Sequence, residues 1–562
     1  MTIGEHAVIA AGATCFDEAR TEVAARGAPV VVLRELEATQ HYDWIIVGSG
    51  FGGSVSALRL SEKGYRVLVI EKGRRFEPGD FAENNRDFKR WIWNPRLGLR
   101  GIIQFSAFRH VTIMHGVGVG GGSLTYACTH PTPSESFFSA PSWRHLADWQ
   151  QELAPHYRTA KQMLGVTAVP DLNACDEVLR EIAQEIDRPE GFQPAEVSIY
   201  FGSPNERVPD PYFEGRGPDR VGCTQCGACT TGCRVGAKNT LDRNYLHLAE
   251  GLGAEILAET EVTAIRPDDE GGYTIETRGT FDRSEPRSYR CDRVVLAGGV
   301  LGTVPLLLQM KQDPAGLPDL SPCVGKSIRT NSEAIIGVVS TNEQSDFSSG
   351  VTIGSVLQTD PRSHLEAMRF GPGSGLSRIM MLPHTSASTL PRRLAQIIWG
   401  FLRHPLRWVK ALSVRDHAKK ALILLYMQAR EGNLRLRVGR GVYTGFKRGV
   451  VTELEEGATA PTPFIPEATE LASRFAAKVD GVMVSMVTES LFGTPSTAHV
   501  LGGACMGDSA DTGVIDHRHQ VFGYPGMYVI DGAAVSANPG VNPSLTITAL
   551  AERAMSFVPP RT

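Results

Sequence analysis

The sequence predicts an α/β fold in which a discontinuous nucleotide-binding domain is joined to an α+β domain with a mainly antiparallel sheet. Three observations predict it: a glycine-rich turn after an apolar strand near the N-terminus, later strands that return to the same sheet, and strand-like and helical stretches between residues 332 and 490. The chain has 562 residues, of which 42% are hydrophobic. This length exceeds one usual domain, so two closely connected domains are expected.

The first unit is a strand, a turn, a helix and a second strand, from Asp43 to Glu71. The apolar run 44–47 leads into GSGFGG at residues 48–53, which is a G-x-G-x-x-G turn. In such a turn the first glycine permits the tight bend, the second lets the backbone approach a pyrophosphate, and the third lets helix and strand pack closely. Glu71, which ends the second strand, is expected to bind a ribose hydroxyl. The unit predicts a Rossmann-like dinucleotide site.

Composition and charge exclude several classes. The net charge of −4 and the isoelectric point near 6.4 argue against a nucleic-acid partner. The first residues contain no basic stretch before an apolar core, and no apolar run is long enough to span a membrane. A cytoplasmic protein is expected, and its ten cysteines are expected to be free thiols or ligands.

A second glycine turn, GVGVGGGS at residues 116–123, has five glycines in its first seven positions. Such a segment orders only when something packs against its bare backbone, and a cofactor would do so. A flexible loop is the alternative, but apolar residues flank the turn at 111–114 and 124–126.

The later strands define the domains. Strand-like stretches at 254–257, 261–265, 273–277 and 293–299 precede an apolar helix at 302–308, so the nucleotide domain is expected to be discontinuous. The predicted organisation is an N-terminal extension 1–40, with a helix at 16–26 and a strand at 29–33, a nucleotide domain 41–331, a second domain 332–490 and a returning C-terminal segment 491–562.

The second domain is expected to contain strands at 334–340, 351–357, 377–382 and 433–438 and a helix at 468–487. Its insert, residues 391–430, interleaves arginine and lysine with Trp, Phe and Leu at helical spacing. That pattern suits a helix in a lipid headgroup region, which would give peripheral membrane contact. The alternative is a helix whose apolar face packs on its own protein.

The C-terminal segment carries a second group of polar residues among glycines. His499 precedes Gly502 and Gly503, Asp531 and Gly532 follow a predicted strand at 527–530, and Asn542 with Pro543 precedes a helix at 544–553. Taken alone, Asn542 is typical of a helix N-cap.

Together these motifs resemble the glucose–methanol–choline (GMC) flavin oxidoreductases. The resemblance rests on both glycine turns, on LAGG at 296–299, on His499 with its glycines, and on GVNPSLTITALAER at 540–553, which is similar to the cholesterol oxidase branch. It implies FAD as cofactor, with the first turn at the pyrophosphate, Glu71 at the adenosine ribose, Val262 at the adenine and Asp531 near the ribityl chain. The residues expected to contact it are Gly48, Gly50, Phe51, Gly53, Glu71, Lys72, Gly118, Gly121, Gly122, Ser123, Val262, Ala297, Gly298, Asp531, Gly532, Asn542 and Pro543.

The resemblance also implies that His499 and Asn542 are catalytic. A secondary alcohol loses its hydroxyl proton to a base while its hydride moves to flavin N5, and a neutral imidazole suits that base. Asn542 would orient the hydroxyl and stabilise developing charge. Two details depart from the family. Tyr126 stands where asparagine is expected, and no motif places the glutamate that is used by sterol oxidases that also shift the steroid double bond. Glu333 is the one candidate for it, and isomerisation is not predicted.

Four cysteines, Cys223, Cys226, Cys229 and Cys233, form C-x-x-C-x-x-C-x-x-x-C within the loop 222–240. The spacing and three nearby glycines predict an iron–sulfur cluster. Arg234 replaces the usual following proline, and zinc or reduced thiols are the alternatives.

Three functions remain open at this point. The first is FAD-dependent oxidation of a bulky hydrophobic alcohol, such as a 3β-hydroxysteroid to a 3-ketosteroid, with O₂ as acceptor. The second is an iron–sulfur-assisted dehydrogenase of another alcohol or sugar that passes electrons to a redox partner protein. The third is a non-catalytic protein that binds flavin and lipid.

Overall fold

Two seven-stranded sheets organise the part of the chain that the structure describes. The structure is a computed structural model, and it describes residues 40–282, 286–375, 378, 381–431 and 434–562. Residues Tyr42–Thr562 form one compact unit. The helix expected at 16–26 and the strand expected at 29–33 lie outside the described residues.

The first sheet carries the nucleotide-binding unit. Its strand His41–Val47 runs parallel to Val67–Ile70, and Trp44, Ile45 and Ile46 are fully buried. Helices cover this sheet, which explains why its parallel strands read as nearly continuous apolar runs. The strands, in spatial order, are Glu255–Leu257, Val67–Ile70, His41–Val47, Arg287–Leu296, Tyr273–Gly279 and Thr260–Pro267, with Met527–Val529 parallel to Arg287–Leu296.

The C-terminal helix Ser544–Ser556 packs against two helices of the nucleotide domain. Its Glu552 accepts hydrogen bonds from Arg59 at 2.7 and 2.8 Å and from the Tyr245 hydroxyl at 2.6 Å. The C-terminal helix therefore completes the nucleotide domain, which begins with the strand His41–Val47. The helices around the first sheet are Phe51–Glu62, Trp149–Met163, Tyr245–Gly251, Val300–Gln312 and Ser544–Ser556.

In the described residues all neighbouring strands of the second sheet pair antiparallel, in agreement with the mainly antiparallel sheet that the sequence predicts. Helices Ala174–Glu185 and Pro466–Lys478 pack on one face, where Ile336 and Leu424 are buried. The opposite face presents Ile335 and Leu425 to a cavity. Its strands, in spatial order, are Met381–Pro383, Gly481–Met486, Ala334–Ser340, Ala421–Gln428, Ser363–Arg369, Ile353–Asp360 and Phe192–Pro194.

Shorter elements complete the fold. The helices are Phe88–Trp91, Glu135–Phe138, Leu390–Arg403, Pro405–Ser413, His417–Lys420 and Val487–Phe492; the strands are Trp93–Asn94, Leu99–Arg100, Ile103–Ala107, Thr112–Gly116, Thr167–Ala168, Glu196–Val197, Arg207–Val208, Arg220–Val221, Leu434–Gly439, Gly449–Leu454 and Ser496–Thr497.

Three sequence boundaries differ from the structure. The helix expected at 468–487 ends at Lys478, and Gly481–Met486 is a strand, because Asp480 takes a positive φ and Gly481 breaks the helical period. The insert 391–430 ends in the strand Ala421–Gln428, which lies inside the second sheet. Residues 174–194, expected in the nucleotide domain, pack with the second sheet because Phe192–Pro194 pairs with Ile353–Asp360.

The rest of the insert forms two helices, Leu390–Arg403 and Pro405–Ser413, which we call the basic helix pair. Pro405 separates them. Proline has no N–H to donate within a continuing helix, so the first helix ends before it, but proline is favourable in the first turn of the second helix. Neither this pair nor any other described helix is long and apolar enough to cross a membrane.

Candidate active site

A cavity of about 790 Å³ lies between the first sheet and the second. At one end its wall is the backbone of the glycine turns and of residues 296–299. At the other end its wall is apolar and includes side chains from the second sheet, namely Ile335, Ile353, Met368, Ile423 and Leu425. This combination of a backbone-lined end and an apolar end is suited to a cofactor beside an apolar substrate.

The first glycine turn leaves room for a ligand. A side chain at Gly53 would place its Cβ 2.0 Å from the Gly48 oxygen, so Gly53 serves helix packing and does not line the cavity. Gly48 has φ +101°, and its Cβ would meet the Ala297 oxygen at 2.4 Å. Gly50 lines the cavity, and a Cβ there would meet no protein atom within 4 Å. That space fits a cofactor phosphate.

The same turn supplies hydrogen-bond donors. Gly50 is the N-cap of helix Phe51–Glu62 and offers no side chain to the free N–H groups of the first helical turn. Phe51 also lines the cavity. A helix N-terminus of this kind attracts a phosphate through its N–H groups and its dipole.

Glu71 lies at the cavity wall and is nearly buried. One carboxylate oxygen accepts hydrogen bonds from the Ser49 hydroxyl at 2.7 Å and the Ser49 N–H at 3.1 Å, and the other accepts from the Gly73 N–H at 2.8 Å. The acid therefore holds the first glycine turn. Lys72 beside it also lines the cavity, and burial lowers the pKa of its amine.

We expect Glu71→Ala to weaken FAD retention by roughly 10- to 100-fold, because a charged hydrogen-bond partner is lost at the turn. Flavin content after gel filtration measures this. Glu71→Gln, which keeps an acceptor for Ser49, serves as the matched control and should retain more flavin. Full occupancy in the alanine variant would contradict the assignment.

The second glycine turn divides into lining and supporting residues. Gly121 and Gly122 line the cavity. Gly118 does not, because its α-carbon faces Leu124 and Phe76, which a Cβ would meet at 2.7 and 2.8 Å. The Ser123 hydroxyl also stays behind the wall, where it donates to the Gly120 carbonyl at 2.7 Å and accepts from the Leu241 N–H at 3.0 Å.

Tyr126, which replaces the expected asparagine, lines the cavity with its hydroxyl tied into the protein. That hydroxyl lies 2.6 Å from the Ser198 hydroxyl and donates to the Asn239 carbonyl at 2.9 Å. Its ring lies 5.6 Å from that of Phe51. Tyr126 therefore contributes its aromatic ring to the cavity wall, and its hydroxyl is bound to the protein.

Asp531 joins the C-terminal segment to the turn at residue 299. Its carboxylate accepts from the Gly299 N–H at 2.8 Å, the Thr303 hydroxyl at 2.5 Å and the Ala533 N–H at 2.7 Å. Burial raises the pKa of Asp531 to about 6, against these hydrogen bonds, which lower it. Other predicted cofactor residues that line the cavity are Val262, Ala297, Gly298, Gly532 and Pro543.

His499 lines the cavity and is fixed by a buried glutamate. Its Nδ1 lies 3.1 Å from a Glu333 oxygen, and the other Glu333 oxygen accepts a hydrogen bond from the Thr497 hydroxyl. Glu333 and His499 meet because their segments are joined by two main-chain hydrogen bonds of 2.9 Å between Arg329 and Leu501. With Nδ1 occupied by Glu333, Nε2 is the ring nitrogen left for a substrate.

The charge state of His499 depends on this partner. Burial lowers the pKa of the imidazole, but the charge and hydrogen bond of Glu333 outweigh burial, with a smaller contribution from Glu366, so the pKa is raised above its ordinary value. A base must be neutral to accept a proton. The arrangement therefore predicts turnover that increases as pH rises through this raised pKa.

We expect Glu333→Gln to move the acid limb of kcat/KM to lower pH, because His499 then loses the largest contribution that raises its pKa and keeps only the smaller one from Glu366 against burial. The pH profile of kcat/KM measures this. Glu489→Gln is the matched control. Burial raises the pKa of Glu489 to about 8, so below that pH the exchange changes no charge. An unchanged acid limb in Glu333→Gln would refute the coupling.

Asn542 lines the same cavity as His499. Its amide nitrogen lies 3.4 Å from a buried Glu366 oxygen, whose partner oxygen lies 3.4 Å from His364 Nε2. Its amide oxygen has no hydrogen-bond partner among the described residues. Because a buried amide oxygen is costly to leave unpaired, this atom is suited to accept a hydrogen bond from a ligand.

The four cysteines line a separate cavity of about 20 Å³, and none of them lines the large one. Their loop nevertheless reaches the large cavity through Thr230 and Thr231. In the described residues no three His, Cys, Asp or Glu side chains are placed to hold a metal ion. None of the four cysteines forms a disulfide, and the iron–sulfur cluster stays a prediction.

Sequence reasoning missed two carboxylates that support the site. The sequence offers Glu333 only as a candidate for isomerisation, whereas in the structure it holds His499. The sequence gives no signal for Glu366, because its strand Ser363–Arg369 also contains Ser363, His364 and Arg369 and so shows no apolar pattern that a glutamate would interrupt.

Two family models and several curated relatives match this chain. Residues 43–353 match a family model described as FAD dependent oxidoreductase, and residues 446–551 match one described as GMC oxidoreductase. A cholesterol oxidase of Acinetobacter baumannii is 40% identical across 92% of this chain and 94% of its own length. A cholesterol oxidase of Mycobacterium tuberculosis is 42% identical across 92% and 91%.

A solved structure also shares the fold. Pyridoxine 4-oxidase from Mesorbium loti superposes with a TM-score of 0.58 at 15% identity, over 92% of this chain and 99% of that one. The fold, the family matches and the relatives agree, and the chain belongs to the FAD-dependent GMC oxidoreductases, enzymes that act on CH–OH groups, with cholesterol oxidases among its relatives.

Proposed function

We propose that this enzyme oxidises the secondary hydroxyl of a bulky apolar alcohol, of the sterol class, from a 3β-hydroxysteroid to a 3-ketosteroid. The observation that carries the proposal is the single cavity that joins a glycine-lined end to an apolar wall, with His499 and Asn542 lining it. A sugar would need several polar partners, whereas Ile335, Met368 and Leu425 favour an apolar ring system.

The roles of the side chains follow from their hydrogen bonds. FAD, when bound, supplies the acceptor for the hydride of the carbinol carbon. His499 accepts the hydroxyl proton at Nε2, while Glu333 holds its Nδ1 and stabilises the imidazolium that forms. Asn542 orients the hydroxyl, and Glu366 in turn fixes the Asn542 amide.

The acceptor and the location complete the proposal. O₂ is the proposed electron acceptor, in keeping with relatives that are named oxidases. The proposed location is the cytoplasm, with peripheral contact to a membrane that holds the sterol. Membership of an oxidoreductase family sets aside the non-catalytic flavin and lipid carrier.

Anaerobic flavin reduction tests the substrate class. Purified holoenzyme mixed with cholesterol or another 3β-hydroxysteroid should lose its oxidised flavin absorbance, and a 3α-hydroxysteroid serves as the matched control. An enzyme that no steroid reduces would refute the sterol proposal.

A second candidate is a cluster-bearing dehydrogenase of another alcohol or sugar with a redox partner protein. It is favoured by one observation, the convergence of Cys223, Cys226, Cys229 and Cys233 on one small cavity beside the large one. Iron and acid-labile sulfide analysis separates the two functions. Iron and sulfide together with dye reduction and negligible peroxide would support the dehydrogenase, and their absence with peroxide production would support the oxidase.

A further inference from the structure

The basic helix pair presents a broad apolar face to solvent. Leu406 is 83% exposed, Leu402 66% and Trp399 63%. A dense patch of large exposed apolar side chains marks an interaction surface. Its eight members are Leu390, Leu394, Ile398, Trp399, Leu402, Leu406, Val409 and Leu412.

Other side chains of the same helices anchor the pair to the protein. Ile397 and Trp408 are buried, and the Trp408 ring lies 4.9 Å from that of Phe401. The Trp408 Nε1–H donates to the Gly400 carbonyl at 2.8 Å, and the Arg393 guanidinium donates to the Leu491 carbonyl at 3.1 Å. One apolar face of the pair therefore packs on the protein, as one of the two alternatives for the insert expects, and a second apolar face points outward.

The charge of this surface indicates its partner. Residues 390–415 contain six arginines and lysines and no acidic residue. Arg393 is buried, and Arg407 and Lys410 form ion pairs with Asp480 and Glu343. In the described part of the chain the exposed Arg392 and Arg403 form no ion pair. Basic side chains beside exposed leucines and a tryptophan are typical of a helix in the headgroup region of an anionic bilayer. A second copy of this chain would bring like charges together, which is unfavourable.

Neighbouring segments link the pair to the wall of the large cavity, and exposed side chains mark an opening of that cavity. Phe88 and Phe105 line that cavity and remain 47% and 38% exposed. Cavity-lining Asn85 accepts a hydrogen bond from the Gly375 N–H at 3.0 Å, and Arg378, in the same segment, donates to the Val414 carbonyl directly after the second helix.

The first helix of the pair is tied to the cavity wall as well. It packs against the helix Val487–Phe492, which begins directly after the lining residue Met486, and Phe492 is exposed. Both helices of the pair are thus joined to segments of the cavity wall.

We propose that the basic helix pair docks on an anionic lipid bilayer and holds this opening at the bilayer surface. An alcohol dissolved in the bilayer then enters the apolar end of the cavity without crossing water. The loading route rests on the proposed function, whereas the docking itself does not.

Vesicle flotation of the full-length holoenzyme tests the docking without any turnover. We expect binding to vesicles of phosphatidylcholine with phosphatidylglycerol, weaker binding to phosphatidylcholine alone, and loss of the difference at high salt. The double variant Trp399→Ser/Leu402→Ser should lower partitioning by about 10-fold or more, because these side chains no longer enter the apolar phase. Val442→Ser/Tyr443→Ser removes equally exposed apolar groups elsewhere and should bind as the native protein does.

Two further measurements separate the possible outcomes. Arg392→Glu/Arg403→Glu should remove the preference for phosphatidylglycerol, which tests the charge independently of the apolar side chains. Turnover of a steroid presented in vesicles should fall in the Trp399→Ser/Leu402→Ser variant, while turnover of a detergent-solubilised steroid should not. Equal vesicle binding by native and variant proteins, or a native dimer that these substitutions dissociate, would overturn the proposal.

Discussion

His499→Gln should lower kcat by roughly 10²- to 10⁴-fold, which is the contribution of a positioned general base. Glutamine retains hydrogen-bonding capacity but cannot accept the hydroxyl proton, so the effect isolates proton transfer from binding. The rate of anaerobic flavin reduction at saturating alcohol measures this, because it follows the chemical step and not product release.

The matched control for this change is His384→Gln. His384 is a half-buried histidine of the second domain that hydrogen-bonds Ser485 and Thr469 and does not line the cavity. It should reduce turnover little. Flavin content should be native in both variants, and rapid turnover by FAD-loaded His499→Gln would remove the proposed base.

Asn542→Ala should lower kcat by roughly 10²- to 10³-fold, as expected when a preorganised polar group at the reacting oxygen is lost. The substitution removes both the unpartnered amide oxygen in the cavity and the amide nitrogen next to Glu366. Since the reacting geometry is affected more than the apolar wall, KM should change much less than kcat.

Stability has to be measured with this variant, because Asn542→Ala leaves a buried Glu366 oxygen without its donor. Glu366→Gln supplies the control, since it removes the charge but leaves an acceptor for Asn542. It should retain far more activity than Asn542→Ala at a similar melting temperature. Native turnover in a folded, flavin-loaded Asn542→Ala protein would contradict its role.

The sequence pattern predicts much of the nucleotide-binding domain because its key motif lies within one short stretch of the chain. The strand 44–47, the turn at 48–53 and the acid Glu71 lie within one supersecondary unit, and the structure has that unit as expected. The prediction of one helix over 468–487 is wrong because a local pattern cannot decide its last part. An apolar run with small residues suits either a helix or a strand, and Gly481–Met486 becomes a strand by pairing with the distant Ala334–Ser340.

The site was harder to predict because its polar contacts join distant segments. Glu333 and His499 are brought together by main-chain pairing of Arg329 with Leu501. Asn542, just before the last helix, meets Glu366 of the second sheet. The hydrophobic periodicity of a single segment cannot predict a contact between two distant segments. Gly118 and Ser123 show the converse, since their motif predicted cofactor contact while their atoms support the wall from behind.

The last helix has a consequence for folding. Because Ser544–Ser556 closes the nucleotide domain and its Glu552 binds Arg59 and Tyr245, the wall that receives the flavin is complete only after segments that lie 493 and 307 residues apart in the sequence have met. Contacts of such large sequence separation slow folding, so the cofactor site is expected to form late in the folding reaction.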